Sequence, residues 1–302
     1  MDFSIIIATF DRADALDRLL GGIAEYFVKS SFDIEVLIAN NARDEATAQD
    51  IDGVIARYAD RMPERFRRIR EMLPGKCRAQ NRALAKSKGA ILVFFDDDVE
   101  VTPDWLRVAA NFFRDKPYFD VMQGPILMPP EFRHDEEFLR LHERYRTINF
   151  VQYPANMTEI YTLTGANMAI RRKVFDRVGV FNQALGPGCS GISEDVEFAQ
   201  RITKMGMRIG YEPSAGVIHE VDRRRLSEEF FRQRHEQQGR SRLIYKKQSM
   251  ASILANLTKS TIQVGCHNLT GNMRKKYRAK GRYFHYRAML AVKLNRLVDS
   301  QG

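Results

Sequence analysis

The sequence predicts an α/β fold: a mostly parallel central sheet flanked by helices, with a basic C-terminal helical extension. Two observations carry this expectation. Through the first hundred residues, short runs apolar on both faces alternate with amphipathic helical stretches, the pattern of strands covered by helices on both sides. After Asp222 the apolar residues take up helical spacing and the charge turns strongly positive.

The elements follow in order. Phe3 to Ala8 reads as the first strand, and Ala13 to Phe27 as a helix with Leu16, Leu19, Leu20 and Ile23 on one face. Strands are expected at Ile34 to Ala39, Phe66 to Met72 and Ala90 to Phe95, with helices at Glu45 to Tyr58 and Cys77 to Lys86 between them. A helix from Pro103 to Arg114, an extended stretch from Phe119 to Met128 and a charged helix from His134 to Arg146 come next. The following region holds a strand-like Met168 to Arg171, a glycine-rich loop from Gly186 to Gly191 and a helix from Asp195 to Met205. Parallel sheets of this kind bind ligands at the carboxyl ends of their strands.

Composition narrows the class. A chain of 302 residues, 44% hydrophobic and 28% charged, buries a real core and is neither a disordered tail nor a small disulfide-stapled module. Cys77, Cys189 and Cys266 form no CxxC pair and leave an odd count, against a disulfide framework or a structural zinc site. No apolar run approaches the ~20 residues that span a bilayer, and the start shows no secretory leader pattern, so a cytoplasmic location is expected. The net charge of +10 divides unevenly: 29 basic against 34 acidic residues up to Asp222, then 19 against 4 from Arg223 onward, a tail of +15. Amphipathic helices so charged are expected to lie peripherally on an anionic inner leaflet. The alternative is that their apolar stripes pack on the rest of the chain or on a second copy in a homodimer. Nucleic acid is not expected, since no helix-turn-helix, zinc-finger or RNA-recognition signature accompanies the tail.

Asp96-Asp97-Asp98 closes the apolar strand ending in Phe95. Adjacent carboxylates repel and are poor strand formers, so the triplet costs stability unless a cation is present. In an extended segment Asp96 and Asp98 share a face, and hard oxygen ligands suit Mg²⁺ or Mn²⁺. The plainer reading is a solvated acidic turn. Glu194-Asp195 opens a helix after a glycine-rich loop; acids there are also ordinary first-turn chemistry. Lys76 and Arg78 could add positive charge near phosphates, His219 is a candidate imidazole ligand, and Trp105 could pack against a sugar; the plainer readings are solvated helix-start charges, a structural hydrogen-bonding histidine and a core tryptophan.

Together these segments carry a resemblance. Ile5 to Arg12, Gly75 to Asn81, Phe94 to Asp98, Thr164 to Arg172 and Glu194-Asp195 resemble, in order, the motifs of family 2 glycosyltransferases. The resemblance implies a Rossmann-like glycosyltransferase A fold over residues 1–222, with a nucleotide-sugar-binding half at 1–100 and an acceptor-binding half at 101–222, and leaves 223–302 as the extension. It implies inverting transfer from a nucleoside-diphosphate sugar, UDP-linked by family habit, to a hydroxyl of a glycan or lipid-linked saccharide in cell-surface polysaccharide synthesis. A catalytically silent nucleotide-sugar-binding or regulatory protein on the same fold is the alternative. Carried over by motif, Asp195 with Glu194 is the catalytic pair, and Asp98, Asp96 and His219 hold the metal. Thr9, Phe10, Arg12, Asn40, Asn41, Lys76, Asn81, Asp96 and Asp97 face the nucleotide sugar. Gly165, Ala166, Asn167 and Trp105 face the acceptor. Asn40 and Asn41 depart from the family, which usually has an aspartate there to read uracil.

Overall fold

The apolar alternation of the first hundred residues becomes the heart of a sheet. The computed structural model describes residues 1–27, 30–154 and 156–299 in two compact units. One comprises Met1–Pro129, Phe150–Gln183 and Glu194–Glu220; the other Pro130–Asn149, Ala184–Ser193 and Val221–Gly302. The second unit thus gathers 130–149 and 184–193, segments that sequence alone left in the acceptor-binding half.

In chain order the elements are β1 (Phe3–Thr9), α1 (Ala13–Gly22) running into a π-helical turn at Ile23–Phe27, β2 (Ile34–Asn40), α2 (Glu45–Ala59), β3 (Phe66–Arg70), α3 (Lys76–Leu84) and β4 (Ile91–Asp96). Then come β5 (Val99–Val101), α4 (Trp105–Asp115), β6 (Val121–Gln123), β7 (Ile126–Leu127), α5 (Glu136–Tyr145), β8 (Glu159–Ile160), β9 (Asn167–Arg171) and α6 (Arg172–Val178). The chain ends with α7 (Glu194–Lys204), β10 (Ile209–Tyr211), β11 (Val217–His219), α8 (Glu228–Tyr245), α9 (Met250–Leu269) and α10 (Met273–Asp299).

In the first unit eight strands form one sheet in the order β3-β2-β1-β4-β9-β6-β10-β8. The first four are mutually parallel, and β9 runs antiparallel to β4 and β6. The two-residue period of a strand sorts the core: Ile5 and Ile7 of β1 pack on one face with Leu16, Leu19 and Ile51, while Ile6 packs on the other with Ala79, Ala83 and Phe198. Each fully buried aliphatic or aromatic side chain stabilises the fold by about 1.5–3 kcal/mol, before chain entropy is subtracted.

A second sheet, β5-β11-β7, is small but decisive for the site. Its antiparallel register sets His219 opposite Val99, and the Glu220 amide donates to the Asp98 carbonyl at 2.9 Å. Gly124, between β6 and β7, allows the close crossing: a Cβ there would lie 1.9 Å from the Ala215 carbonyl oxygen.

The second unit is helical. Ser227 and Ser249 cap α8 and α9, each hydroxyl accepting an amide hydrogen of the first turn. Gly239 of α8 lets the backbone of α10 approach, since a Cβ would lie 2.2 Å from the His285 carbonyl oxygen. Tyr145, Phe231 and Tyr277 meet edge-on or tilted, with centroids 5.4–6.0 Å apart. No described helix is long and apolar enough to cross a membrane.

Candidate active site

Three strand ends and two helix starts of the first unit deliver its charged residues to one place. β1 and β4 are in register with Ala8 opposite Asp96, so Thr9 and Phe10 emerge beside the acidic triplet. Arg12, just before α1, donates to Asp97 at 3.0 Å and also to Asp98. Lys76, the first residue of α3, lies 2.5 Å from Asp96 and 3.7 Å from Glu194. His219 Nε2 lies 3.5 Å from Asp98. Asp195 accepts the Gly165 amide at 3.2 Å and the Val196 amide at 2.8 Å, which fixes its carboxylate at the start of α7.

Five carboxyl groups thus share two close cations. Two like charges about 5 Å apart repel by about 3 kcal/mol at an effective dielectric of 20, so the cluster must take up protons or gain a cation. It does part of this by titration. Burial pushes the Asp97 carboxyl up to about 7, against the pull of Arg12. Burial, then Asp195, pushes Glu194 up to about 7. Asp195 is likewise raised by burial, against the pull of Lys76. Asp96 also loses solvation, but Lys76 outweighs this and holds its carboxyl below the usual range. Lys76 is raised in turn, Asp96 and Glu194 overcoming its burial.

Asp96, Asp98 and His219 each offer a ligand atom, all within 4.8 Å of one another. Two hard carboxylates and one imidazole, in a cluster whose acids outnumber its cations, fit a divalent ion such as Mg²⁺ or Mn²⁺.

Several expected contacts are corrected by burial. Trp105 is fully buried, packed edge-on against Phe95 at 4.9 Å, with Nε1 donating to Asn167 and to the Ala215 carbonyl. Asn167 is equally enclosed and donates to the Pro125 and Ala215 carbonyls, and Ala166 packs in the same core. None of the three presents a surface to an acceptor; Gly165 alone of that group touches the site, through Asp195. Asn40 spends both amide hydrogens on Ala48 and Asp52 and its oxygen on Ala42 and Arg70. Asn41 ties Glu71 and Leu73 and accepts from Gly75. Asn81 clamps both backbone groups of Phe181. All three amides hold loops in place: Asn40 has every hydrogen-bonding group engaged, and Asn41 has both amide hydrogens engaged.

Sequence reasoning did not single out Gln123. It is buried, accepts the Thr164 amide and donates to the Asn167 carbonyl, and so holds the loop that carries Gly165. A lone glutamine in a short strand carries no signal of this in the sequence.

A mostly parallel sheet with an Asp-x-Asp turn at a strand end and a Glu-Asp helix start beside it defines a glycosyltransferase of the A-type fold. The chain belongs to glycosyl transferase family 2, whose sequence model matches residues 4–179. AglE, a glycosyltransferase of Haloferax volcanii, is 24% identical over 210 residues, 69% of this chain and 63% of AglE; the chain therefore spans under two thirds of that relative. The mannosyltransferase PcManGT from Pyrobaculum calidifontis, solved with GDP-Man and Mn²⁺, superposes with a TM-score of 0.62 at 19% identity, over 96% of this chain and 86% of that one. TarS 1–349 from S. aureus, solved with UDP-GlcNAc, gives 0.56 at 16% identity, over 98% and 92%. These structural likenesses are of fold.

Proposed function

We propose that the protein is an inverting, divalent-cation-dependent glycosyltransferase. It moves a sugar from a nucleoside-diphosphate donor to a hydroxyl of a glycan or lipid-linked saccharide in cell-surface polysaccharide synthesis. One observation carries the reading: Lys76 joins the cation-seeking acids at the end of β4 to the Glu194-Asp195 pair at the start of α7. The site thus has a leaving-group side and a proton-accepting side about one lysine apart.

Asp96, Asp98 and His219 would hold a divalent ion, which would supply positive charge to offset that developing on the departing diphosphate. Lys76 and Arg12 hold positive charge beside the same acids. Asp195, fixed by the Gly165 amide and raised by burial, takes the acceptor hydroxyl proton. Thr9 and Phe10 border the donor at the end of β1, where Arg43 stacks on the Phe10 ring at 5.6 Å. The GDP-Man and UDP-GlcNAc complexes of the two structural neighbours support the donor class. Inversion is tested by proton NMR of the product. An α-linked donor sugar should yield a β-glycoside, and an α-glycoside would refute single displacement with Asp195 as base.

The +15 of residues 223–302 supports a peripheral position on an anionic membrane surface. Co-sedimentation with phosphatidylglycerol liposomes should fall steeply between 50 and about 500 mM salt, as screening predicts; salt-independent or absent binding would count against it.

A further inference from the structure

The basic tail does more than spread charge over a surface. Within the second unit α5, α8 and α10 border a half-open cavity of about 420 Å³, in the range of small-ligand sites. Arg146, Arg242, Arg274 and Arg278 line it, and none is in an ion pair among the described residues; Glu143 is the one acid on its wall. Three acids of the unit are matched away from the cavity, Glu228 by Lys280, Glu236 by Arg287 and Asp135 by Arg223, so none of these carboxylates offsets the arginines on its wall.

The wall is built rather than accidental. Tyr145, Phe231 and Tyr277 form its aromatic side, and the Arg144 guanidinium lies 5.9 and 5.8 Å from the Tyr145 and Tyr277 rings. His235 and His285 line it as well. Burial, with Arg234 and Arg242 adding, pushes their imidazoles down to about 4, so both are neutral near pH 7. The buried Nδ1 of His285 has no hydrogen-bond partner among the described residues. A buried polar atom left unsatisfied is destabilising, and like-charged guanidinium groups repel; a multiply charged oxyanion relieves the repulsion and offers hydrogen-bond capacity to the wall.

We propose that this cavity is a binding site for a phosphate or diphosphate group, separate from the donor site of the first unit. Guanidinium groups pair bidentately with phosphate oxygens, and four uncompensated arginines exceed what one carboxylate needs. Two sources supply such a group, a soluble phosphorylated compound or a phosphomonoester lipid headgroup.

The test uses the full chain in EDTA at pH 7.5, which removes any metal-assisted binding at Asp96, Asp98 and His219. Calorimetric titration with inorganic diphosphate should show saturable binding. It should weaken at least tenfold in R274Q/R278Q, whose side chains are exposed, and stay within twofold in K246Q/K247Q, which removes equal charge outside the cavity. Vesicles containing phosphatidic acid, set against phosphatidylglycerol vesicles of equal charge, assign the source. Retention by phosphatidic acid with the same variant pattern marks a lipid headgroup, and diphosphate binding without it marks a soluble ligand; either supports the site. No saturable binding, or equal weakening in the two double variants, overturns it. Neither result bears on sugar transfer, which the product analysis tests independently.

Discussion

Asp195→Asn lowers kcat for sugar transfer by about 10²–10⁴-fold, the usual contribution of a positioned general base, while donor affinity stays within about twofold. The asymmetry follows from place. Asp195 belongs to the helix-start side of the site, where it accepts the Gly165 and Val196 amides, whereas the acids proposed to bind the cation sit at the end of β4. An asparagine keeps the shape of the side chain but cannot take a proton. The same logic gives a pH dependence. Burial raises the Asp195 carboxyl, and only the ionised form is a base, so the acid limb of the kcat profile should fall above the ordinary aspartate range. Single-turnover rates and donor titration separate the two quantities. A variant that loses donor binding in parallel with kcat would assign Asp195 to the nucleotide sugar instead.

Asp98→Asn should abolish cation-supported activity and weaken Mn²⁺ binding by more than about 100-fold, beyond the 10–100-fold usual for losing a group that merely supports a metal ligand. Asp98 shares its neighbourhood with Asp96 and His219 as a candidate ligand, and it also receives the Arg12 guanidinium. Removing its charge therefore leaves Arg12 paired with Asp97 alone and the set one ligand short. EDTA should stop the wild-type reaction, and added Mn²⁺ or Mg²⁺ should restore it. Electron paramagnetic resonance of free Mn²⁺ reads the binding without recourse to turnover. Undiminished Mn²⁺ affinity in the variant would remove Asp98 from the metal site.

Much of this was legible in the chain because it is local. The run from Ile91 to Phe95 announces a buried strand, and three acids directly after it can only sit at its carboxyl end. Glu194-Asp195 is visible as a helix start for the same reason. His219 stands out in the sequence only as a lone candidate ligand, and its approach to Asp98 depends on the β5–β11 register, a pairing across more than a hundred residues that no local pattern encodes. The asparagines are hard to read locally for a related reason. Asn40, Asn41 and Asn81 stand where ligand-reading residues stand in the family, yet whether an amide is spare depends on backbone groups brought to it by the fold. Trp105 shares a helical face with Leu106, Ala109, Phe112 and Phe113, all buried; that periodicity pointed to the core and outweighs the appeal of an aromatic near an acceptor. The tail's charge was plain in the sequence, but the meeting of several of its arginines at one cavity arises only when α5, α8 and α10 come together.

The central claim, that Asp195 and the strand-end acids form one transfer site, is tested most directly by nucleoside-diphosphate release. A panel of UDP- and GDP-linked sugars would be incubated with an acceptor pool and Mn²⁺, comparing wild type with Asp195→Asn. The account predicts that wild type consumes at least one donor, that EDTA prevents this, and that the variant releases nucleotide at less than about a hundredth of the wild-type rate. Release by the variant at the wild-type rate, or no donor consumed by the wild type, would contradict it.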